Sequence, residues 1–220
     1  ERTRAIIPVA ICGLMADMDP IMALAAEHDL TVIEDNAQCY LGYYKGRVCG
    51  SIGHFASFSF QASKTLTCGD GGILVCGSPE LATRARRAAT LGFKDLSARP
   101  GDTVVSEERR CHPDYLRHDS LGWNQRLPEV ACAVALAELE RLEDLVAMRV
   151  ASARQFEAVV ETCTWLVPQK TPAGLVNSYW NYAVRIDRDD LPWADFRRKF
   201  VELGGDGFYA EVDPDNSDIA

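Results

Sequence analysis

No Cys-x-x-Cys pair occurs in this sequence; its eight cysteines, at 12, 39, 49, 68, 76, 111, 132 and 163, are scattered. That spacing gives no support for a zinc site. No signal-peptide pattern opens the chain, and 220 residues can build a core without covalent staples, so a disulfide framework is not expected. Reduced and mostly buried thiols are the expectation, and with them a cytoplasmic location. No apolar run approaches the length of a membrane span. Positive charge is also scarce: 23 Lys and Arg stand against 32 Asp and Glu, a net charge of −9. Nonspecific binding to nucleic acid or to an anionic membrane is thereby disfavoured, though a local basic cup for a phosphate stays open. An initiator methionine is missing as well. The chain enters an apolar strand almost at once, and its tail over 211–220 is acidic, turn-rich and without periodicity. It reads as a piece of a longer protein, with a tail outside the pattern that precedes it.

What is present is ordinary for a globular protein, with 47% hydrophobic and 25% charged residues. Residues 5–11 form a β-branched run around Pro8. Asp19 before Pro20 predicts a helix N-cap with proline at the first helical position, and the helix runs to about His28. Residues 30–33 are a compact apolar strand ending at Glu34 and Asp35. Strand, helix and strand at this spacing predict a βαβ unit with parallel strands, whose ligand lies beyond their carboxyl ends, where Asp35 falls. Residues 42–53 predict a loop or hairpin turning at Lys45-Gly-Arg47, and 55–60 and 72–76 predict further strands. A helix is expected from Pro79 to about Thr90, with Arg84, Arg86 and Arg87 on a solvated face. The polar stretch 92–122, with Pro100, Gly101 and Pro113, is long for a plain loop and suits a functional or interface segment. Residues 128–160 are strongly helical, as one connecting helix or two. Alternation predicts a strand over 178–186, followed by a helix over 192–203 capped by Gly204-Gly205.

The chain is organised around Ser57-Phe-Ser-Phe-Gln-Ala-Ser-Lys-Thr-Leu-Thr-Cys-Gly-Asp-Gly-Gly-Ile73. Period two places Phe58 and Phe60 on one face of a strand, and Ser57 and Ser59 on the other. Lys64 follows where that pattern breaks, flanked by Ser63 and Thr65 with no adjacent anion. This suits a nucleophilic amine better than a surface ion pair, although a lone lysine in a turn is most often only solvated. Asp35 admits several readings: N-cap, metal ligand or ribose ligand. No Gly-x-Gly-x-x-Gly turn precedes it, and no partner has metal-ligand spacing. A third arrangement takes both residues together. An amine that forms an imine with an aldehyde cofactor, opposed by a carboxylate on the cofactor's ring nitrogen, is what pyridoxal phosphate (PLP) requires. The glycine- and hydroxyl-rich surroundings would supply donors for its phosphate.

Glu34-Asp-Asn-Ala-Gln38, Gly50-Ser-Ile-Gly-His54, the stretch from Phe58 to Gly72, and Gly122-Trp-Asn-Gln-Arg-Leu-Pro-Glu129 followed by Leu139-Glu-Arg-Leu142 occur in that order. Together they resemble the DegT/StrS family of sugar aminotransferases, of the aspartate-aminotransferase fold type I, over roughly residues 4–210. The resemblance implies an α/β fold: a large domain with a mixed, mostly parallel sheet and flanking helices, plus part of a small α+β domain. Its divisions are a partial PLP-binding domain over 1–127, connecting helix or helices over 128–160, and a partial small domain over 161–220. It further implies that Lys64 is the Schiff-base lysine and Asp35 the partner of the pyridine nitrogen. Gln38 would lie against the cofactor ring or its phenolic oxygen, Ser59 would bind the phosphate, and Asn124 would reach the phosphate across a homodimer interface. The family moves an amino group, usually from glutamate, onto a nucleotide-linked keto-deoxysugar. The family's N-terminal part, with a second phosphate-cupping turn and the aromatic ring that stacks on the cofactor, is missing here. A non-catalytic fragment or assembly module is therefore the alternative; a sugar dehydratase, with histidine in place of the lysine, is opposed by Lys64. His54 is expected to be a packing or hydrogen-bonding residue near the site. Trp180 and Tyr182 suit core or interface better than sugar contact, Arg126 suits support of the interface loop, and Cys39, Cys68 and Cys132 read as small apolar fillers.

Overall fold

The computed structural model describes residues 2–99 and 105–205. The βαβ unit is present: β1 (Ala5–Ile6), α1 (Met18–Glu27) and β2 (Thr31–Asp35), with β1 parallel to β2 and Ala5 opposite Thr31. β1 is shorter than expected because Pro8 has no N–H to give the ladder. Pro8 only accepts, from the Asp35 N–H, and the chain rejoins β2 at Val9 before a 3-10 turn over Ile11–Gly13. α1 starts one residue after Asp17, so the N-cap lies two residues ahead of Asp19. The reason is local: the buried Tyr44 hydroxyl donates to Asp17, and Asp19 turns outward to pair with Lys45.

β3 (Tyr43–Tyr44) and β4 (Arg47–Val48) form the expected hairpin, turning through Lys45 and Gly46 at φ 48° and 81°, the two left-handed positions of a type I′ turn. β5 (Phe55–Ser59) runs parallel to β2, and β6 (Gly72–Val75) antiparallel to β5, giving a four-stranded, mostly parallel sheet in the order β1-β2-β5-β6. Alternation sorts its faces. Val32, Glu34 and Ala56 are buried on one side, in or beside the core of Met18, Ala25, Cys39 and Tyr44. The other side carries Ile33, Asp35, Phe55, Ser57 and Ser59. Below these polar ends, a groove of about 700 Å³ separates Ile33, Phe55 and Leu74 from Leu81, Ala85 and Ala88 of α2 (Pro79–Ala89). Ser78 caps α2 through the Leu81 N–H.

The arginines of α2 are not simply a solvated face. Arg86 donates to the Ser97 carbonyl, and half-buried Arg87 to the Leu96 carbonyl and to Asp119, so two of the three tether the polar stretch that follows. That stretch holds a short helix α3 (Glu107–Arg110) and a bridge between Phe93 and His118. It is pinched where Gly122 meets Gly92: a Cβ on Gly122 would lie 2.2 Å from the Gly92 nitrogen. Pro100 and Gly101 lie outside the described residues, as does the tail beyond Gly205.

The long helical region divides into α4 (Glu129–Leu139) and α5 (Leu142–Val160). β7 (Leu166–Pro168), β8 (Leu175–Val176) and β9 (Val184–Ile186) follow, then α6 (Trp193–Glu202), closed by Gly204 at φ 90°. Two compact units result, one comprising the chain to Ala153 with Thr171–Asn181, the other Arg154–Lys170 and the residues from Tyr182 onward. In the first unit β8 extends the β3–β4 hairpin; in the second β7 pairs antiparallel with β9. The expected strand over 178–186 is realised only at its end. Residues 178–183 are irregular because Tyr179 takes a left-handed φ of 49°, which breaks the alternation. Of the cysteines, Cys39 and Cys49 are buried and Cys111 and Cys132 exposed, so burial is the exception, and Cys132 is no core filler.

Candidate active site

Asp35 is the last residue of β2 and Ser59 the last of β5. Asp35 is in register with Ser57 on the parallel neighbour, so Asp35, Ser57 and Ser59 project from one face at the carboxyl edge of the sheet. The Ala37 N–H donates to Asp35 Oδ1 at 3.0 Å, turning the chain as it leaves the strand. Three residues after Asp35, Gln38 Oε1 accepts from the N–H of Cys12, which holds a left-handed φ of 58° in the 3-10 turn that follows β1. The hydroxyl of Tyr40 donates to the Ser59 carbonyl at 2.5 Å, and its ring packs on Phe58. Burial, reinforced by the neighbouring Cys49 and Cys68 thiols, pushes this hydroxyl well above the ordinary tyrosine range, so it stays a donor.

Lys64 lies in the turn after β5. Phe60 donates to the Gly71 carbonyl and Gln61 bridges to Gly69, closing the loop. Inside it, the N–H and hydroxyl of Ser63 both donate to Gln61 Oε1 at 2.7 Å. Leu66 anchors the far side in a core cluster with Tyr40, Phe60 and Val146. Gly71 must be glycine: at φ 147° a Cβ would meet Leu127 at 2.8 Å. Half-buried Lys64 places its ammonium 4.5 Å from the centre of the Trp180 ring, whose Nε1–H donates to the Ser63 carbonyl at 3.0 Å. Trp180 is held in turn, its carbonyl accepting from Arg149 at 2.7 Å. The N–H and hydroxyl of Ser178 donate to the Gly13 carbonyl at 3.0 and 3.2 Å, and the Tyr179 N–H donates to Asn177 Oδ1. The irregular segment 177–180 thus ties the end of β1 to the lysine turn.

Other expected residues are placed differently. His54 does make a hydrogen bond, accepting from the Val32 N–H through Nδ1, but it precedes β5 opposite Val32, about 10 Å along the strand direction from Asp35. It belongs to the amino half of the sheet, not to the site. Asn124 is exposed and bridges to Thr90 beside the end of α2; Arg126 is exposed too. Among the described residues neither makes a hydrogen bond to Asp35, Gln38, Ser59 or Lys64. Tyr182 belongs to the second unit and stacks on Phe156. Three residues gain importance beyond their sequence signal. Glu34, 2% exposed, accepts from the N–H groups of Gly50, Ile52 and Gly53, which explains why the two motifs belong together. Tyr40 carries no pattern that announces its reach to Ser59. Trp180 was hidden by an apparent strand alternation.

The carboxyl edge therefore carries a carboxylate at Asp35 and hydroxyls at Ser57 and Ser59, with the Lys64 amine in the turn that follows β5; the buried Asn36 amide nitrogen has no hydrogen-bond partner among the described residues. Among the described residues no cluster of three or more His, Cys, Asp or Glu could hold a metal, and no helix is long and apolar enough to cross a membrane. This donor set suits a small, anionic, aromatic ligand.

Comparison with known proteins agrees. The L-glutamine:2-deoxy-scyllo-inosose aminotransferase of Micromonospora echinospora is 31% identical over 219 residues, covering 98% of this chain and 50% of the relative. The GDP-perosamine synthase of Caulobacter vibrioides is 35% identical over 148 residues, covering 67% and 35%. Among solved structures, DesV of S. venezuelae matches with a TM-score of 0.74 and 32% identity, covering 92% of this chain and 48% of that one. The chain spans about half the length, or less, of the curated relatives it matches. The DegT/DnrJ/EryC1/StrS aminotransferase family matches over residues 1–204. The chain belongs to that family.

Proposed function

We propose that this chain forms part of a PLP-dependent aminotransferase acting on a keto sugar, and that Asp35, Gln38, Ser59 and Lys64 hold the cofactor. The observation that carries this reading is the placement of Asp35 in register with Ser57, with Ser59 two residues on along the same face of β5 and the Lys64 turn springing from that strand end. When bound, PLP supplies an aldehyde that links to amines and a pyridine ring that draws electrons from the substrate carbon. Asp35 keeps a proton on the ring nitrogen. The Ser59 hydroxyl donates to the phosphate. With Oε1 committed to Cys12, Gln38 offers its amide nitrogen to the phenolic oxygen. Lys64 would hold the cofactor through its Nζ and, once displaced from it, that amine would carry the proton between two carbons.

The substrate we propose is a nucleotide-linked keto-deoxysugar, as the name of the GDP-perosamine synthase suggests, with glutamate as donor. The inosose aminotransferase is named for L-glutamine, so the amide is the competing donor. We also propose a homodimer with shared sites. Asn124 sits beside Leu121 and Trp123, which are 100% and 74% exposed, and α4 exposes Val130, Val134 and Leu136. Exposed apolar side chains of this size suit a second copy, and Asn124 and Cys132 would then be covered by it.

Adding PLP to the full chain should produce absorbance near the visible edge that Lys64→Ala abolishes. Equal absorbance in the two proteins would sink the assignment. Isotope-labelled glutamate and glutamine, offered with a panel of keto sugars, then identify donor and acceptor.

A further inference from the structure

We propose that Trp180 is a positioning residue for Lys64, parking its ammonium on the indole face and fixing the lysine turn through the indole N–H. The proposal rests on the reading of Lys64 as the reactive amine. Two independent contacts converge on one side chain: the Nζ stands 4.5 Å from the ring centre, and Nε1–H reaches the carbonyl of the preceding residue at 3.0 Å. Trp180 is itself fixed by Arg149 from α5 and, through Ser178, by Gly13 beyond β1. Among the described residues no carboxylate pairs with Lys64.

A ring face suits a lysine that must wait and then react. A carboxylate would hold the ammonium by charge and by hydrogen bonds that have to be broken before the nitrogen can attack. The quadrupole of an indole attracts the cation but has little hold on the neutral amine, so the contact loosens with the loss of the proton. It also removes freedom from a long, flexible side chain before the cofactor arrives. The second contact orients the turn, because the carbonyl held by the indole belongs to the peptide bond leading into Lys64.

The test labels the full chain, without cofactor, with a limiting dose of acetic anhydride and compares lysines by mass spectrometry in the same sample. Trp180→Leu should raise acetylation of Lys64 relative to Lys94 and Lys170 by about two- to fivefold, the factor a partly exposed ring-face contact is worth. Trp180→Phe, which keeps a ring, should return the ratio to within about twofold of the parent, the smaller part of that range. Without the indole N–H, Trp180→Phe should nevertheless slow the appearance of the PLP absorbance band. An unchanged Lys64 ratio in Trp180→Leu, or the same rise in both variants, overturns the proposal. The parent reading is separable. A missing labelling effect alongside Lys64-dependent absorbance removes only the role of Trp180. A labelling effect without that absorbance upholds the contact and removes the aminotransferase reading.

Discussion

Single residues set the geometry of this edge, and Glu34 is the clearest case. Its buried carboxylate satisfies three backbone N–H groups of the loop between β4 and β5, a loop that would otherwise bury unpaired donors. Glu34→Gln turns one oxygen into a donor facing donors, and should cost about 2–3 kcal/mol, read as a lower urea midpoint at unchanged slope. Tyr40 acts at the next level, since its hydroxyl fixes the backbone of Ser59. Its acidity is weakened by burial, so the protonated form is favoured in the fold. That contribution is complete below pH 10, the ordinary tyrosine value, and is lost as pH rises beyond it. Tyr40→Phe should cost about 1 kcal/mol at neutral pH for the lost hydrogen bond. Its stability should also fall less steeply than the parent's between pH 10 and the onset of alkaline unfolding, as measured by chemical denaturation across that range.

Among the elements, β1, β2 and β5 do the placing, while the segment 177–180 does the closing. Gly13 lies at φ 94°, and a Cβ there would stand 2.5 Å from the Tyr179 nitrogen and 2.8 Å from that of Trp180. Gly13→Ala combines left-handed strain with a backbone clash and should destabilise the chain by at least about 2 kcal/mol. Thermal unfolding should register that loss, and a shifted indole emission should accompany it as Trp180 leaves the lysine turn. This element also marks how far the sequence could be read. A compact apolar run marks β2, and period-two alternation marks β5 and sorts Ser57 and Ser59 from Phe58 and Phe60, because a half-buried sheet imposes that pattern directly. The hairpin at Lys45-Gly46 was equally legible from its turn chemistry. Residues 178–183 alternate just as plainly, yet what fixes them is tertiary: Asn177, Ser178 and Gly13 override a strand propensity that has no sheet edge to satisfy. Pro8 and Asp17 shifted boundaries for similarly local reasons. The family resemblance named Lys64, Asp35, Gln38 and Ser59 through their order, whereas Tyr40 and Trp180 act across 19 and 117 residues of sequence and left no local trace.

For the whole molecule, the exposed apolar surface is the feature with the most at stake. Val130 on α4 is 78% exposed, in a helix of which Ala135 alone is fully buried. Leaving such a surface in water is unfavourable by roughly 25 cal/mol per Å² relative to covering it. If the proposed second copy covers it, Val130→Glu should shift the sedimentation profile toward the lighter species at micromolar concentration. If Asn124 completes a shared site, the same substitution should weaken PLP binding about tenfold even though Val130 lies outside the cofactor residues. Self-association unaffected by the change would separate α4 from the interface.

The hydrogen bond from Ser178 to Gly13 spans 165 residues of chain. Non-local closures of this kind are slow, and during synthesis they must await the later partner. A ribosome-bound chain can assemble the β2–β5 pair, and with it the pairing of Asp35 and Ser57, long before residue 178 emerges. The carboxylate and hydroxyl edge is then a product of early translation, while the indole that steadies the lysine arrives last. Ordering of the lysine turn is in this sense timed by residue 180: a nascent chain halted before that point holds the amine without the indole that restrains it.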